Sequence, residues 1–263
     1  MNRTTIEWCD WTWNPLTGCL GPDANGPCSY CYAKRFAERF SLRRDFEPGQ
    51  VYMARSGLEG GEVYPYGFAP TFYPHRLDEP MKVKKPSRIF VCSMGELFGP
   101  WVPNEWVRRI FGTMQDCPWH TFILLTKWPQ NILRSLQEAA GDDCPLPNVW
   151  LLTSVENQET WDKRVPELLK LREHGWPVLG VSVEPMLGPI GIDSISRWPN
   201  QITDALDWII VGGQSPVSAS QPEYKWVDDV LMGAAFCHVP IFLKNNLRPI
   251  LGDNLRQEWP EEP

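Results

Sequence analysis

The sequence lacks the features of a membrane-spanning or exported chain. No run of eighteen apolar residues occurs among its 263 residues, which predicts that no segment spans a membrane. The N-terminal stretch MNRTTIEWCDWTW has no apolar core of the kind found in signal peptides. We therefore expect a cytoplasmic protein that does not act at a membrane. Its composition, 43% hydrophobic and 22% charged, is typical of a globular chain with a sizeable core.

Positive charge is also scarce. The formal net charge is −7, from 25 basic and 32 acidic residues. Proteins that coat nucleic acid without sequence preference are usually basic, because their contacts to phosphate need Lys and Arg. The acidic balance therefore disfavours that class, while a local basic patch remains compatible with it.

Cysteine, in contrast, is present eight times, and three of the eight are clustered. Eight residues separate Cys19 from Cys28, and two residues separate Cys28 from Cys31. The absence of an export signal argues against disulfides. The other cysteines are most simply buried thiols or, for the first of them, a possible fourth ligand; they stand at positions 9, 92, 117, 144 and 237.

Short apolar runs recur from residue 88 onward and predict strands covered on both faces, as in parallel sheets. Their starts lie about 30 residues apart, the length of one strand plus one crossover helix. The stretch TWNP (12–15) would end an earlier strand. The later runs are RIFVCS (88–93), TFILLT (121–126), VWLLTS (149–154), VLGVSV (178–183), WIIVGG (208–213) and PIFLKN (240–245).

The segments between these runs have helical spacing, as has YAKRFAERF directly after the cysteines. We predict helices over 32–40, 104–116, 128–141, 160–175 and 223–236. About six to seven βα units result, and they favour a full or partial parallel (β/α) barrel in one domain over 1–263. A doubly wound open sheet is the alternative.

One segment does not fit the βα pattern. Residues 47–86 are rich in Gly, Pro and aromatic residues, and we interpret them as an insertion that covers the strand ends. A packed strut on the far side is the alternative. As a cover, the insertion would bring His75 and Arg76 near an anionic substrate.

Polar or small residues follow each predicted strand. The carboxyl ends of parallel strands meet at one edge, where ligands bind in α/β folds. The carboxylates, amines and hydroxyls at this edge suit a zwitterionic ligand that carries hydroxyl groups. These residues are Ser93, Gly95, Glu96, Lys127, Ser154, Glu156, Ser182, Glu184, Gly212, Gly213 and Lys244.

Three kinds of site fit the clustered cysteines. A structural zinc ion would need a fourth ligand, such as Cys9 or His75. A disulfide would leave one thiol spare. A [4Fe–4S] cluster would use three thiolates and leave one iron open for an exchangeable ligand.

The segment Cys28-Ser29-Tyr30-Cys31 resembles the end of the radical S-adenosylmethionine (SAM) signature, in which an aromatic residue precedes the last cysteine. Tyr30 stands at that aromatic position. The signature has three residues in its first gap where this chain has eight. Met94-Gly95-Glu96 stands where that family carries a Gly-Gly-Glu-like motif that holds the SAM amino group.

The resemblance extends along nearly the whole chain. The sequence is similar to a phage-associated three-cysteine family related to radical SAM enzymes of the spore photoproduct lyase type. That family more often has Gly-Gly-Glu-Ser-Gly at 212–216. The segments that carry the resemblance are WNPLTGC, CSYCYAKRFAERF, HRLDEP, RIFVCSMGELF, HTFILLTKWP, LPNVWLLTSVENQETWDKRVPELL, SVEPMLGPI, LDWIIVGGQS and IFLKNNL.

This resemblance implies a radical SAM enzyme with a [4Fe–4S] cluster on Cys19, Cys28 and Cys31. It implies that the cluster cleaves SAM to a 5′-deoxyadenosyl radical, with a nucleotide or nucleic-acid base as the substrate class. The strand-end residues would bind SAM, with Lys127 at its carboxylate, and Lys244 would meet the substrate. The alternative is a non-catalytic metal-binding scaffold that acts through a protein partner named for a three-cysteine motif. The electron donor stays open.

Overall fold

The structure is a computed structural model of the chain. It describes residues 1–23, 26–41, 47, 49–54, 63–140, 144–191, 206–215, 219–253 and 255–261. Part of the predicted insertion (48 and 55–62) and Pro216 lie outside these residues. Within them, no helix combines the length and the apolar character that crossing a membrane requires.

The fold is mixed α/β, with a mostly parallel sheet of eight strands and a small sheet of three. The chain divides into two compact units, Met1–Asn148 and Val149–Pro263.

The first unit contributes four strands of the large sheet, in the order β1-β2-β6-β7. The short strand β1 is antiparallel to β2, and the other pairs are parallel. The strands are β1 (Asn2–Arg3), β2 (Trp11–Trp13), β6 (Arg88–Val91) and β7 (Thr121–Thr126), and the helices are α1 (Tyr32–Phe40), α2 (Asn104–Gln115) and α3 (Ile132–Ala140).

The small sheet also belongs to the first unit and contains part of the predicted insertion. Its strands are β3 (Leu16–Thr17), β4 (Tyr52–Met53) and β5 (Thr71–Phe72), in the order β3-β5-β4. Phe72 is fully buried and stacks on Trp106 of α2, with ring centroids 5.1 Å apart. Burying an aromatic side chain of this size contributes about 1.5–3 kcal/mol. The insertion is therefore anchored to α2 by a buried aromatic contact.

The second unit contains four parallel strands in the order β8-β9-β10-β11. These are β8 (Val149–Val155), β9 (Val178–Val183), β10 (Trp208–Val211) and β11 (Ile241–Leu243), and the helices are α4 (Gln158–Leu169), α5 (Tyr224–Phe236) and α6 (Arg248–Leu251).

The two faces of these strands have different environments. Val181 and Val183 pack in one buried cluster with Trp161 of α4 and Val227 of α5. Because successive side chains of a strand point to opposite faces, Ser182 lies on the face away from these helices.

The predicted strands and helices are confirmed, and most of them have changed ends. Strand β6 stops at Val91 because Cys92 has a φ of 56°, a left-handed conformation that ends strand pairing. The predicted helix 160–175 begins at Gln158, where Asn157 and Thr160 form a capping box, and continues as a 3₁₀ turn to Gly175. The parallel α/β class is confirmed; closure into a barrel and a single domain over 1–263 stay predictions.

Candidate functional site

The first cysteine is held by backbone hydrogen bonds from two directions. The Cys19 amide donates to the Phe68 carbonyl at 3.2 Å, and the Gly18 amide donates to the Met94 carbonyl at 2.8 Å. Gly18 has a φ of +85°, and a Cβ atom there would lie 2.3 Å from the Ala69 carbonyl oxygen. Only glycine fits this position, so the loop after β3 is fixed between the insertion and the loop after β6.

The other two cysteines form the turn that begins α1. The Cys31 amide donates to the Cys28 carbonyl at 3.0 Å. Cys31 is the N-cap of α1, and its sulfur accepts a hydrogen bond from the Lys34 amide at 3.4 Å. The Cys19 sulfur accepts one from the Gly21 amide at 3.1 Å. Backbone amides that donate to sulfur stabilise a thiolate.

The side chain of Lys127, directly after β7, lies against this turn. Its Nζ donates to the Tyr30 hydroxyl at 2.7 Å, lies 3.6 Å from the Cys28 sulfur, and stands over the Tyr30 ring at 4.8 Å from its centroid. The ammonium group therefore places a positive charge beside one thiol of the cluster.

The three thiols also influence one another electrostatically. Burial raises the pKa of Cys19 above its usual range, and the nearby Glu96 carboxylate, Cys31 and Cys28 raise it further. Burial likewise raises the pKa of Cys31, while the amides of Lys34 and Ala33 oppose that shift. Without a cation, ionising the Cys19 and Cys31 thiols is unfavourable, so a bound positive centre would be needed to hold these two as thiolates.

The spacing of the three thiols bears on the kind of metal group that they could hold. Among the described residues, no three His, Cys, Asp or Glu side chains are grouped closely enough to hold one metal ion. A zinc ion needs its ligands within a single coordination sphere. A four-iron cluster binds each thiolate on a different iron, so its cysteine sulfurs lie further from one another than the ligands of a single zinc ion do. Cys19 and Cys31 pack against one buried cluster, which includes Phe68 and Met94.

Glu96 is buried and already has several hydrogen-bond donors. Its carboxylate accepts bonds from the Phe98 amide at 3.1 Å, the Thr126 hydroxyl at 2.5 Å and the Lys127 amide at 2.9 Å. Burial nevertheless raises the pKa of Glu96 above its usual value. Gly95 passes close to β3, where a Cβ would lie 2.9 Å from Thr17 backbone atoms. Glu96 thus connects the loop after β6 to the end of β7.

Ser93 belongs to a hydrogen-bond group that sequence reasoning missed. The Asn14 side chain bonds the Ser93 hydroxyl at 3.1 Å and accepts from the Met94 amide at 2.9 Å. The Tyr32 hydroxyl donates to the Ser93 carbonyl at 2.5 Å. Asn14 follows β2 directly, so the rule that polar residues after parallel strands line the site would have found it.

The two insertion residues expected to meet substrate have different environments. His75 is exposed. Arg76 is half-buried; its guanidinium donates to the Asn14 carbonyl at 3.0 Å and lies 3.7 Å from the Tyr73 ring centroid. Arg76 therefore links the insertion to Asn14 at the end of β2, and the Asn14 side chain in turn bonds Ser93. That the insertion closes over a ligand stays a prediction.

The second unit carries its own group of predicted site residues. The Lys244 ammonium forms an ion pair with the Glu184 carboxylate, and the Ser154 hydroxyl donates to the Glu184 carbonyl at 3.3 Å. Gly212 lies against both, since a Cβ there would be 3.0 Å from Lys244 and 3.1 Å from Glu184. The Ser182 hydroxyl is buried and has no hydrogen-bond partner among the described residues.

Two further predicted site residues of the second unit, Glu156 and Gly213, are bonded to other side chains of the protein. The Glu156 carboxylate pairs with Arg164 of α4 at 2.9 Å, with both side chains buried. The Gly213 amide and carbonyl bond the Asn246 side chain at 3.1 and 2.8 Å. Ser154, Ser182, Glu184, Gly212 and Lys244 thus lie close together, while the Glu156 side chain is paired with Arg164 of α4.

Comparison with solved structures defines the class of fold. The chain is similar to a cysteine-to-serine mutant of spore photoproduct lyase, with a TM-score of 0.51 and 13% identity over 80% of this chain. A tyrosine-to-phenylalanine mutant of the same protein gives a TM-score of 0.50 and 11% identity, also over 80%. The chain spans 57% of the length of these structures.

Comparison of the sequence defines the family. Residues 3–248 match the family described as "Protein of unknown function (DUF5131)", so the chain belongs to that family. No curated protein matches the chain significantly. The expected similarity to spore photoproduct lyase is thus confirmed at the level of fold, and the phage association stays a prediction.

Proposed function

We propose that the protein is a radical SAM-type iron–sulfur enzyme in which Cys19, Cys28 and Cys31 hold a [4Fe–4S] cluster. The observation that carries the proposal is that three neighbouring thiols lie beside the ends of parallel strands, with amide and ammonium groups directed at their sulfurs. When bound, the cluster would supply the electron that cleaves SAM to methionine and a 5′-deoxyadenosyl radical.

The chain's own residues would bind and orient SAM. Lys127 is the cation beside the cluster position, and its Nζ would turn from Tyr30 to the SAM carboxylate. Ser93, Gly95 and Glu96 line the adjoining loop. The Glu96 carboxylate has lone pairs beyond the three bonds it accepts, and these would receive a bond from the SAM amino group.

The polar group of the second unit would serve SAM and the substrate. Glu184 would accept from ribose hydroxyls, and the Ser182 hydroxyl has an unmade bond that a ligand would complete. Lys244 would meet an anionic group, and a nucleotide or nucleic-acid base is the substrate class we propose, on the sequence resemblance. In the first unit, His75 and Arg76 would contact an anionic group of the substrate from the insertion.

Metal analysis of cysteine variants tests the proposal. After anaerobic purification, C19A, C28A and C31A should each lose the brown colour and the absorbance at about 410 nm that is typical of thiolate-bound clusters. C237A, which removes a half-buried thiol outside the site, should keep both. Retained iron in all three site variants would contradict the assignment. One zinc per chain, lost in the same variants, would instead support the metal-binding scaffold.

A further inference from the structure

Helix α1 presents two rows of exposed side chains. One row is aromatic: Tyr32, Phe36 and Phe40 are 49%, 48% and 47% exposed. They stand four residues apart, so they share one face of the helix. The Phe36 and Phe40 rings lie 4.7 Å apart, so these two side chains form one continuous aromatic surface. Contiguous exposed aromatic surface of this kind marks interaction sites.

The second row is basic and runs beside the first. Arg35 and Arg39 are exposed and also stand four residues apart. At 100° per residue they flank the aromatic row on the side opposite to the buried Ala33 and Ala37. The stretch 32–44 carries five basic residues and one acidic residue in a chain whose net charge is −7. This local reversal of charge favours an acidic partner.

The position of the helix indicates what the partner exchanges. Cys31 is the N-cap of α1, so Phe36 lies about 7 Å along the helix axis from a cluster ligand. The arginine row points away from Ala33 and Ala37, which pack in the buried cluster that Cys19 and Cys31 contact. The aromatic row borders this cluster, since the Phe36 ring lies 6.0 Å from the ring of its member Tyr64. A substrate must reach the inside of the site, whereas an electron donor only has to approach the cluster from outside.

We propose that the exposed face of α1, formed by Tyr32, Arg35, Phe36, Arg39 and Phe40, is the docking surface of a small acidic one-electron carrier protein. The inference rests on the proposed function, since an electron carrier would dock on this face only if Cys31 binds an iron–sulfur cluster that accepts the electron. In each encounter the carrier is oxidised by one electron and the bound cluster is reduced by that electron. No bond forms or breaks. The aromatic row supplies apolar contact, and the arginine row supplies attraction and orientation.

Charge reversal on the helix tests the proposal, with an acidic plant-type [2Fe–2S] ferredoxin as the probe. The variant R35E/R39E should bind fluorescently labelled ferredoxin at least tenfold more weakly than the unchanged protein. Its cluster should also be reduced at least tenfold more slowly by reduced ferredoxin, as followed by absorbance. Raising the salt concentration should slow the reduction of the cluster by ferredoxin in the unchanged protein but not in the variant. F36A/F40A should weaken binding without removing the salt dependence.

Two controls separate this surface from the cluster itself. R108E reverses an exposed charge on α2 and should leave binding and reduction unchanged. Dithionite, a small reductant that needs no docking surface, should reduce the cluster fully in every variant. If dithionite succeeds while ferredoxin binds and reduces R35E/R39E as well as the unchanged protein, the docking inference fails and the proposed function stands. If no variant, nor the unchanged protein, contains a reducible cluster, both fail.

A nucleic acid is the competing occupant of a basic, aromatic face. A labelled single-stranded oligonucleotide separates the two. Tight oligonucleotide binding that is lost in R35E/R39E, with ferredoxin reduction unaffected, would overturn the carrier assignment. Weak oligonucleotide binding that does not change in the variant would support it.

Discussion

The Lys127 ammonium lies 2.7 Å from the Tyr30 hydroxyl and 3.6 Å from the Cys28 sulfur. Lys127 follows β7 directly, and Cys28 belongs to the turn that begins α1. The contact therefore joins a strand end to the cysteine turn through one positive charge. It provides a cation where a thiolate is expected and where the carboxylate of SAM is proposed to bind.

Removing this charge should lower the reduction potential of the cluster. A positive charge near a cluster ligand favours the reduced, more negative state. We expect K127M to lower the midpoint potential by about 60 mV, a tenfold change in a one-electron equilibrium. K127R should lie near the unchanged value, and K85M, which removes an exposed lysine elsewhere, should not shift it. Equal potentials for K127M and the unchanged protein, by potentiometric titration, would show that Lys127 only fills space.

Replacing the carboxylate of Glu96 should change how stability depends on pH. Burial raises the pKa of Glu96 in the folded chain above its ordinary value of 4.5. The folded state then holds the proton more tightly than the unfolded state, so stability is lost as pH rises from 4.5 through the folded pKa. We expect E96Q to remove this loss, so that its stability relative to the unchanged protein increases with pH over that window. Parallel curves in urea titrations from pH 4.5 to 8 would contradict this expectation.

Adding a methyl group to Gly18 should disrupt the cysteine loop. G18A combines a φ of +85° with a Cβ 2.3 Å from the Ala69 carbonyl oxygen. G49A has the same kind of backbone, with a φ of +82°, and open space around the new methyl group. We expect G49A to cost about 1 kcal/mol and G18A clearly more, with loss of iron in G18A alone. Equal stability and iron content in the two variants would mean that the loop after β3 has room to move.

Breaking the Glu184–Lys244 ion pair should show whether Glu184 binds SAM or only stabilises the strand ends. E184Q should weaken SAM binding by about 1–3 kcal/mol, the scale of a charge-assisted hydrogen bond at a desolvated site. E156Q is the matched carboxylate on the same edge, and its partner is Arg164 on a helix, so it should affect stability and leave SAM affinity unchanged. Calorimetry on cluster-loaded protein measures both. If E184Q binds SAM as well as the unchanged protein does, Glu184 serves only the ion pair.

Much of the fold could be predicted because its signals are local. Continuous apolar runs at regular spacing identify buried parallel strands, and β7 and β9 have the predicted bounds. The small sheet could not be predicted, since strands of two residues such as β4 and β5 carry no periodicity. The regular structure of the insertion therefore came from its tertiary packing, as Phe72 against Trp106 illustrates.

The candidate site could be predicted only in part. The rule that polar residues follow parallel strands identified Glu96, Lys127 and Glu184, but it does not predict which residues each of these side chains contacts. The pairing of Glu156 with Arg164 depends on the packing of α4 against β8 and has no signature in either segment alone. The contact between Lys127 and Cys28 joins residues 99 positions apart, which no local pattern reports.

The most direct test of the account is an electron paramagnetic resonance spectrum of the anaerobically purified, dithionite-reduced protein, recorded with and without SAM alongside iron and sulfide analysis. We predict about four iron and four sulfide per chain and the signal of a reduced [4Fe–4S] cluster, which changes when SAM binds the open iron. Zinc in place of iron, or an iron–sulfur signal that SAM leaves unchanged, would contradict a radical SAM site at Cys19, Cys28 and Cys31.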